Sequence, residues 1–175
     1  GFKDGDGVAA RFYRPAGLAY DERQKRLLVA DAGNRRIRAI DPEKSTVTTV
    51  AGGAAGSIDG PKDKARFGQP VAIAREAAGV FWIADATNGT MRRLNADDSV
   101  ETVFGGCAIK AGGLSIAGGL AIGRDALFFL DGERVMRRQI RFSSPTPAAT
   151  PSAGPTTDAS ASPSPDVCAT NPRAS

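Results

Sequence analysis

A chain of 175 residues, 41% hydrophobic and 24% charged, has the make-up of a globular protein, which excludes a coiled coil, a collagen and a chain disordered throughout. Its formal charge is +4, from 23 Lys and Arg against 19 Asp and Glu, a mild excess that admits acidic partners without demanding nucleic acid. Histidine is absent and cysteine is limited to Cys107 and Cys168, so Ser–His–Asp and Cys–His catalysis, a disulfide scaffold and a structural zinc site are all out of reach of these residues.

In chain order the predicted elements are short and β. Asp4-Gly5, Ala10-Arg11-Phe12 and Pro15 lead into runs at 16–20, 26–30, 37–40 and 46–51, each bounded by Asp, Asn, Gly or Pro. The same order then returns about 55 residues later. Asp59-Gly60, Ala65-Arg66-Phe67 and Pro70 lead into runs at 71–75, 80–84, 90–94 and 99–104. Leu27-Leu28-Val29-Ala30-Asp31 answers Phe81-Trp82-Ile83-Ala84-Asp85. Asn34 answers Asn88, Ile37-Arg38 answers Met91-Arg92, and Thr46–Val50 answers Ser99–Val103. A third, shorter copy has runs at 119–123, 126–130 and 134–139 and lacks both the Asp-Gly lead and a fourth strand. Its Leu127-Phe128-Phe129-Leu130-Asp131 answers the second run, and Val135-Met136-Arg137-Arg138 the third.

No connection is long and apolar enough for a crossover helix, so neighbouring strands should be antiparallel. Four such strands repeating at this interval are the arithmetic of a propeller blade, since isolated hairpins would be marginal in water. The expected fold is therefore all-β, a partial β-propeller of four-stranded blades at about 1–52, 53–106 and 107–142. Ser, Thr, Pro and Ala make up 26 of the 33 residues 143–175, which should form a disordered linker or stalk.

The motifs Asp-Gly, Ala-Arg-Phe, Pro-Ala-Gly-Leu-Ala (15–19), Leu-Leu-Val-Ala-Asp (27–31), Gly-Asn-Arg-Arg-Ile-Arg (33–38) and Thr-Val-Thr-Thr-Val-Ala-Gly-Gly (46–53) resemble the NHL repeat. The likeness covers 1–106 well and 117–139 loosely, two and a half to three repeats. It implies a propeller, commonly six-bladed, of which this chain would supply about half. Closure would then need further blades or a second copy. The chain opens on Gly1 and not on Met, so an interior piece of a longer protein is expected, and no run approaches the length of a membrane helix.

Asp31, Asp85 and Asp131 close the second strands. Propeller hydrolases and lactonases line a channel with such acids, but with Asn34 and Asn88 three residues on, the pattern reads first as a turn, the carboxylate accepting N–H bonds on the way to the next strand. Arg38, Arg92 and Arg137 read as equivalent, with Arg35, Arg36, Arg93 and Arg138 beside them. They form either a basic binding face, which some NHL propellers use for RNA, or a ladder of ion pairs between blades. Phe12 and Phe67 read as plugs in the seams between blades, and Gly5, Gly17, Gly52 and Gly60 as turn or bulge positions with positive φ. Asn88-Gly89-Thr90 is a glycosylation sequon, which together with the Ser/Thr/Pro-rich end favours an extracellular or cell-surface setting over the cytoplasm.

The expected function is a non-catalytic scaffold that meets a protein or surface glycan through the loops 31–36, 53–69, 85–90 and 105–118, without cofactor or metal. RNA binding through the arginines is the alternative. A second alternative is a propeller enzyme: the resemblance includes a lyase acting on peptidyl-hydroxyglycine, whose zinc site uses His ligands that this chain lacks.

Overall fold

A computed structural model describes residues 1–76, 79–106 and 115–140. The strands are β1 (Gly5–Asp6), β2 (Pro15–Asp21), β3 (Arg26–Asp31), β4 (Arg36–Asp41), β5 (Thr46–Gly52), β6 (Pro70–Arg75), β7 (Phe81–Asp85), β8 (Thr90–Leu94), β9 (Val100–Gly105), β10 (Ile116–Ile122), β11 (Ala126–Asp131) and β12 (Arg134–Gln139). They form three antiparallel sheets, β2 to β5 with β1 on the outer edge, β6 to β9, and β10 to β12. Among the described residues no helix is long and apolar enough to cross a membrane. The Ser/Thr/Pro-rich stretch, both cysteines and most of the loop at 105–118 lie outside the described residues.

The expected strands are all present to within a few residues. The addition is β1, where the Asp-Gly lead folds back along the sheet that follows it and pairs Gly5 with Val47 and Asp6 with Thr46. The second copy repeats the return as a bridge between Gly60 and Val100. Each lead thus crosses its own blade from the inner to the outer strand, covering backbone edge that would otherwise face water.

The sheets stack face to face, and β7 shows why. Its five residues are all buried, the signature of a strand covered on both sides. Phe81 and Ile83 pack into one core with Leu28, Ile37 and Val50 of the first sheet. Trp82 and Ala84 pack into another with Leu127 and Phe129 of the third. Phe67 is fully buried in the first of these cores, so it plugs the seam as its repeat position suggested. Phe12 is half-buried against the outer face of the first sheet.

The inner strands β2, β6 and β10 run side by side. Gly17 lets the first two meet: a Cβ there would stand 3.0 Å from the Cα of Ala72. Its φ is not positive, so this glycine serves close approach and not the turn expected of it. Gly52 and Gly105 do have positive φ, 98° and 94°, and a Cβ would fall 2.3 Å and 2.2 Å from the carbonyl oxygens of Arg35 and Gly89. Only glycine fits either position.

Candidate functional site

The three aspartates share one task. Each accepts the backbone N–H of a residue just ahead of the inner strand: Tyr13 to Asp31 at 2.8 Å, Gln69 to Asp85 at 2.7 Å, Ser115 to Asp131 at 2.6 Å. The carbonyl of that same residue then accepts an N–H from the turn after the aspartate, from Gly33, Ala86 and Gly132 respectively. The clip therefore joins the end of the second strand to the segment entering the blade. The turn reading had the carboxylate bonding toward the next strand. The bonded N–H lies instead 16 to 18 residues upstream. Asn34 and Asn88 complete the clip by donating Nδ2 to Asp31 and Asp85, both at 2.8 Å.

Arg38 and Arg92 are fully buried, which removes them from any binding face. Arg38 donates to Asp31 at 2.9 Å, to Asp4 at 2.6 Å and to the carbonyls of Lys3 and Arg11. Arg92 donates to Asp59 at 2.7 Å and to the carbonyls of Ile58 and Arg66. These ties stay within one repeat and do not run between blades as the ladder reading expected. Each arginine reaches the Asp-Gly lead of its own copy, and the lead's aspartate in turn accepts from Thr49 or Thr102 on the outer strand.

Arg137 is not their counterpart. Arg38 pairs opposite Val29 and Arg92 opposite Ile83, two residues before the clip aspartate, and in the third sheet that position pairs Phe129 with Met136. The turn after Asp131 is two residues shorter than the turn after Asp85, and this shifts the register. Arg137 is exposed, 3.4 Å from Asp125, and Arg138 lies over the ring of Phe104. Arg36 stacks on Phe2, Arg93 meets Glu76 and Glu101, and Arg35 is exposed in its turn. The seven arginines therefore do not assemble one basic face. Asn88 is likewise occupied, its amide nitrogen donating to Gly56 O and Asp85, while Thr90 of the sequon is buried. Folded, this sequon presents no free amide.

What sequence reasoning missed is a recess of about 400 Å³ at the end where the inner strands begin. Each inner strand bulges there. The register skips Ala16 in β2, Val71 in β6 and 117–119 in β10. Ala16, Val71, Gly118 and Gly119 line the recess together with Arg14 and Gln69. Bulges re-aim side chains and favour functional rims. The recess offers a cation, an amide and an apolar floor. Among the described residues no three His, Cys, Asp or Glu come together as a metal site.

Repeated antiparallel sheets, stacked face to face with their first strands side by side, are the blades of a β-propeller. No family model matches the sequence. It is 30% identical over 104 residues to NHL repeat-containing protein 2 of Bos taurus, a stretch of 58% of this chain and 14% of that protein. It superposes on a Bacteroides thetaiotaomicron protein of unknown function with a TM-score of 0.59 and 19% identity, over 70% of this chain and 34% of that one. A gluconolactonase from Xanthomonas campestris gives 0.52 and 21%, over 69% and 36%. The blades are similar to the NHL repeats of the curated relative, and the matched region is about a seventh of its length.

Proposed function

We propose that these blades form a non-catalytic binding scaffold that meets a protein partner at the end where the inner strands begin. The observation that carries this reading is the open recess beside loops whose buried charged groups are already committed. Asp31, Asp85, Arg38 and Arg92 hold the loops in place, so the loops themselves stay rigid while their exposed residues are left for a partner. A preordered surface loses less conformational entropy on binding than a mobile one. The uncovered faces at either end of the stack, with Leu18 63% and Val135 73% exposed, fit further blades of the same kind, because Phe12 and Arg38 repeat on the first blade the seam that Phe67 and Arg92 make on the second.

The test is proximity labelling with the full-length protein in two double variants. Arg35→Glu with Thr87→Glu alters the exposed turns beside the recess, and Gln24→Lys with Glu43→Lys alters exposed turns at the opposite end. The labelled proteins should be lost with the first pair and kept with the second. Equal loss or equal retention with both pairs overturns the reading. So does labelling dominated by RNA-bound species that disappears on nuclease treatment.

A further inference from the structure

We infer that the recess at the head of the inner strands is a carboxylate pocket, with the Arg14 guanidinium and the Gln69 side-chain amide as its donors. The carboxylate is one carried by a peptide, on an acidic side chain or at the peptide's own carboxyl terminus. This names the chemistry of the partner and rests on the scaffold reading.

Arg14 is where the clip departs from the repeat. In the second and third blades the clipped residue, Gln69 or Ser115, directly precedes the inner strand. In the first blade Arg14 holds that same place before Pro15 but is not clipped: Asp31 takes its backbone N–H from Tyr13, the counterpart of Gly68, which also donates to Asp85. Unclipped, Arg14 adopts φ +52°, a left-handed conformation that costs a non-glycine residue energy and that neither Gln69 nor Ser115 adopts. Arg35 is left-handed too, at +56°, but the second blade has left-handed Gly89 at the matching turn, so the architecture itself demands that conformation. Nothing in the other blades demands it of Arg14. Strain without an architectural cause is a pointer to function.

The strained residue is also the recess's cation, exposed and with no hydrogen bond from its side chain among the described residues. Gln69 lines the recess with it. The Thr87 hydroxyl donates to Gln69 Oε1 in a long contact of 3.4 Å, which turns the NH₂ end toward a ligand. A guanidinium fork beside an amide donor matches the two oxygens of a carboxylate. Ala16, Ala32, Val71, Gly118 and Gly119 add no anion to oppose it and leave room for a peptide backbone.

The experiment is a chemical-shift titration of the ¹⁵N-labelled full-length protein with three peptides: acetyl-Ala-Glu-Ala-amide, its Gln counterpart, and acetyl-Ala-Ala-Ala with a free carboxyl terminus. The Glu peptide, the free terminus, or both should shift the amides of Ala16, Ala32 and Val71, and the Gln peptide should not; which of the two binds identifies the source of the carboxylate. Arg14→Gly should weaken binding roughly ten- to a hundredfold, the worth of a lost charge-assisted pair. Its melting temperature should stay level or rise, because glycine adopts this φ freely, and so a folding defect cannot mimic the result. Gln69→Glu should abolish binding by placing a second anion in the recess. The pocket is overturned if the Gln peptide binds as well as the Glu peptide, if no peptide shifts these amides, or if Arg14→Gly binds as the parent does. If Arg14→Gly also leaves proximity labelling intact while Arg35→Glu with Thr87→Glu abolishes it, the scaffold stands and only the pocket falls.

Discussion

Arg92→Met places in the second blade the residue that the third blade already carries at that position, Met136. The side chain being replaced is fully buried. Its guanidinium donates to Ile58 O at 2.9 Å, Arg66 O at 3.0 Å and Asp59 at 2.7 Å, and sits 5.1 Å from the centre of the Phe67 ring. Asp85, also fully buried, lies 3.8 Å away. Methionine keeps most of the packing volume and none of the donors. A hydrogen bond to a charged group contributes about 1.5–3 kcal/mol, and the one to half-exposed Asp59 belongs at the low end. Removing one partner of a buried charge costs about 3–5 kcal/mol in comparable sites. Asp85 keeps its two backbone donors and Asn88, which places the expected loss near the bottom of that range, at ~3 kcal/mol. Against a usual domain stability of roughly 5–15 kcal/mol this is a large share. Urea unfolding measures it. Trp82 is the lone tryptophan and sits in the same sheet as Arg92, on its opposite face, so its fluorescence reports unfolding of the blade that loses the tie. The midpoint should fall with the slope unchanged. A loss under about 1 kcal/mol at constant slope would show that the lead is held without its arginine, and the buried tie would not be what fixes the lead across its blade.

Gly105→Ala should cost about 2–4 kcal/mol, from the left-handed φ and from a Cβ 2.2 Å from Gly89 O; a thermal midpoint within a degree of the parent would contradict the close approach. Trp82→Phe removes the indole N–H that donates to buried Glu76 at 2.6 Å and should cost about 1–3 kcal/mol, with Glu76→Gln recovering part of it in a double-mutant cycle. In the exposed turns, the Lys44 backbone N–H and then its ammonium hold Asp41 below the ordinary carboxyl value, and the Ser99 hydroxyl and then its N–H do the same for Asp97. Folded values that are lowered stabilise at pH above the ordinary carboxyl value of ~3.9, and the gain fades as pH falls through the lowered values. Asp41→Asn with Asp97→Asn should therefore flatten the stability curve between about pH 4 and the acid limit, as read by chemical unfolding at stepped pH; an unchanged slope there would contradict those contacts.

The strands were legible because each is a run of Val, Ile, Leu and Phe between turn formers, and because two copies agree in order. Phe67 could be placed in a seam for the same reason. The fate of the arginines was less legible. A sequence shows that Arg38 and Arg92 recur, but it does not show which face of β4 or β8 they occupy, and that choice separates a buried tie from an exposed stripe. The signal was present in part: Asp4 and Asp59 recur with them, and a recurring opposite charge in the same copy is the partner an interior arginine requires. Arg137 was misaligned because similarity of the Met-Arg pair outweighed the shorter turn, and in a strand a slip of one residue moves every side chain to the other face. The recess was hidden because bulges leave no residue signature; Ala16 and Val71 read as ordinary strand positions until the register skips them.

Taken together, the buried ties and the recess divide the repeat between two tasks. The residues that recur, the clip aspartates, the tied arginines and the seam phenylalanine, are consumed in holding the lead across its blade. The positions that differ between copies stand where the copies converge. Arg14, Gln69 and Ser115 fill one repeat position with three different side chains, and the bulge grows from one extra residue in β2 and β6 to two in β10. A wall built of identical blades would give a ring of identical contacts. Breaking the repeat at the mouth alone gives each blade a different group to present there, while the ties behind it keep the frame unchanged. The third blade tests this division from the opposite side. It lacks both the lead and the arginine, with Met136 in that place, yet it keeps the clip from Ser115 to Asp131. The clip is thus the element the mouth depends on, and the arginine tie serves only where there is a lead to hold.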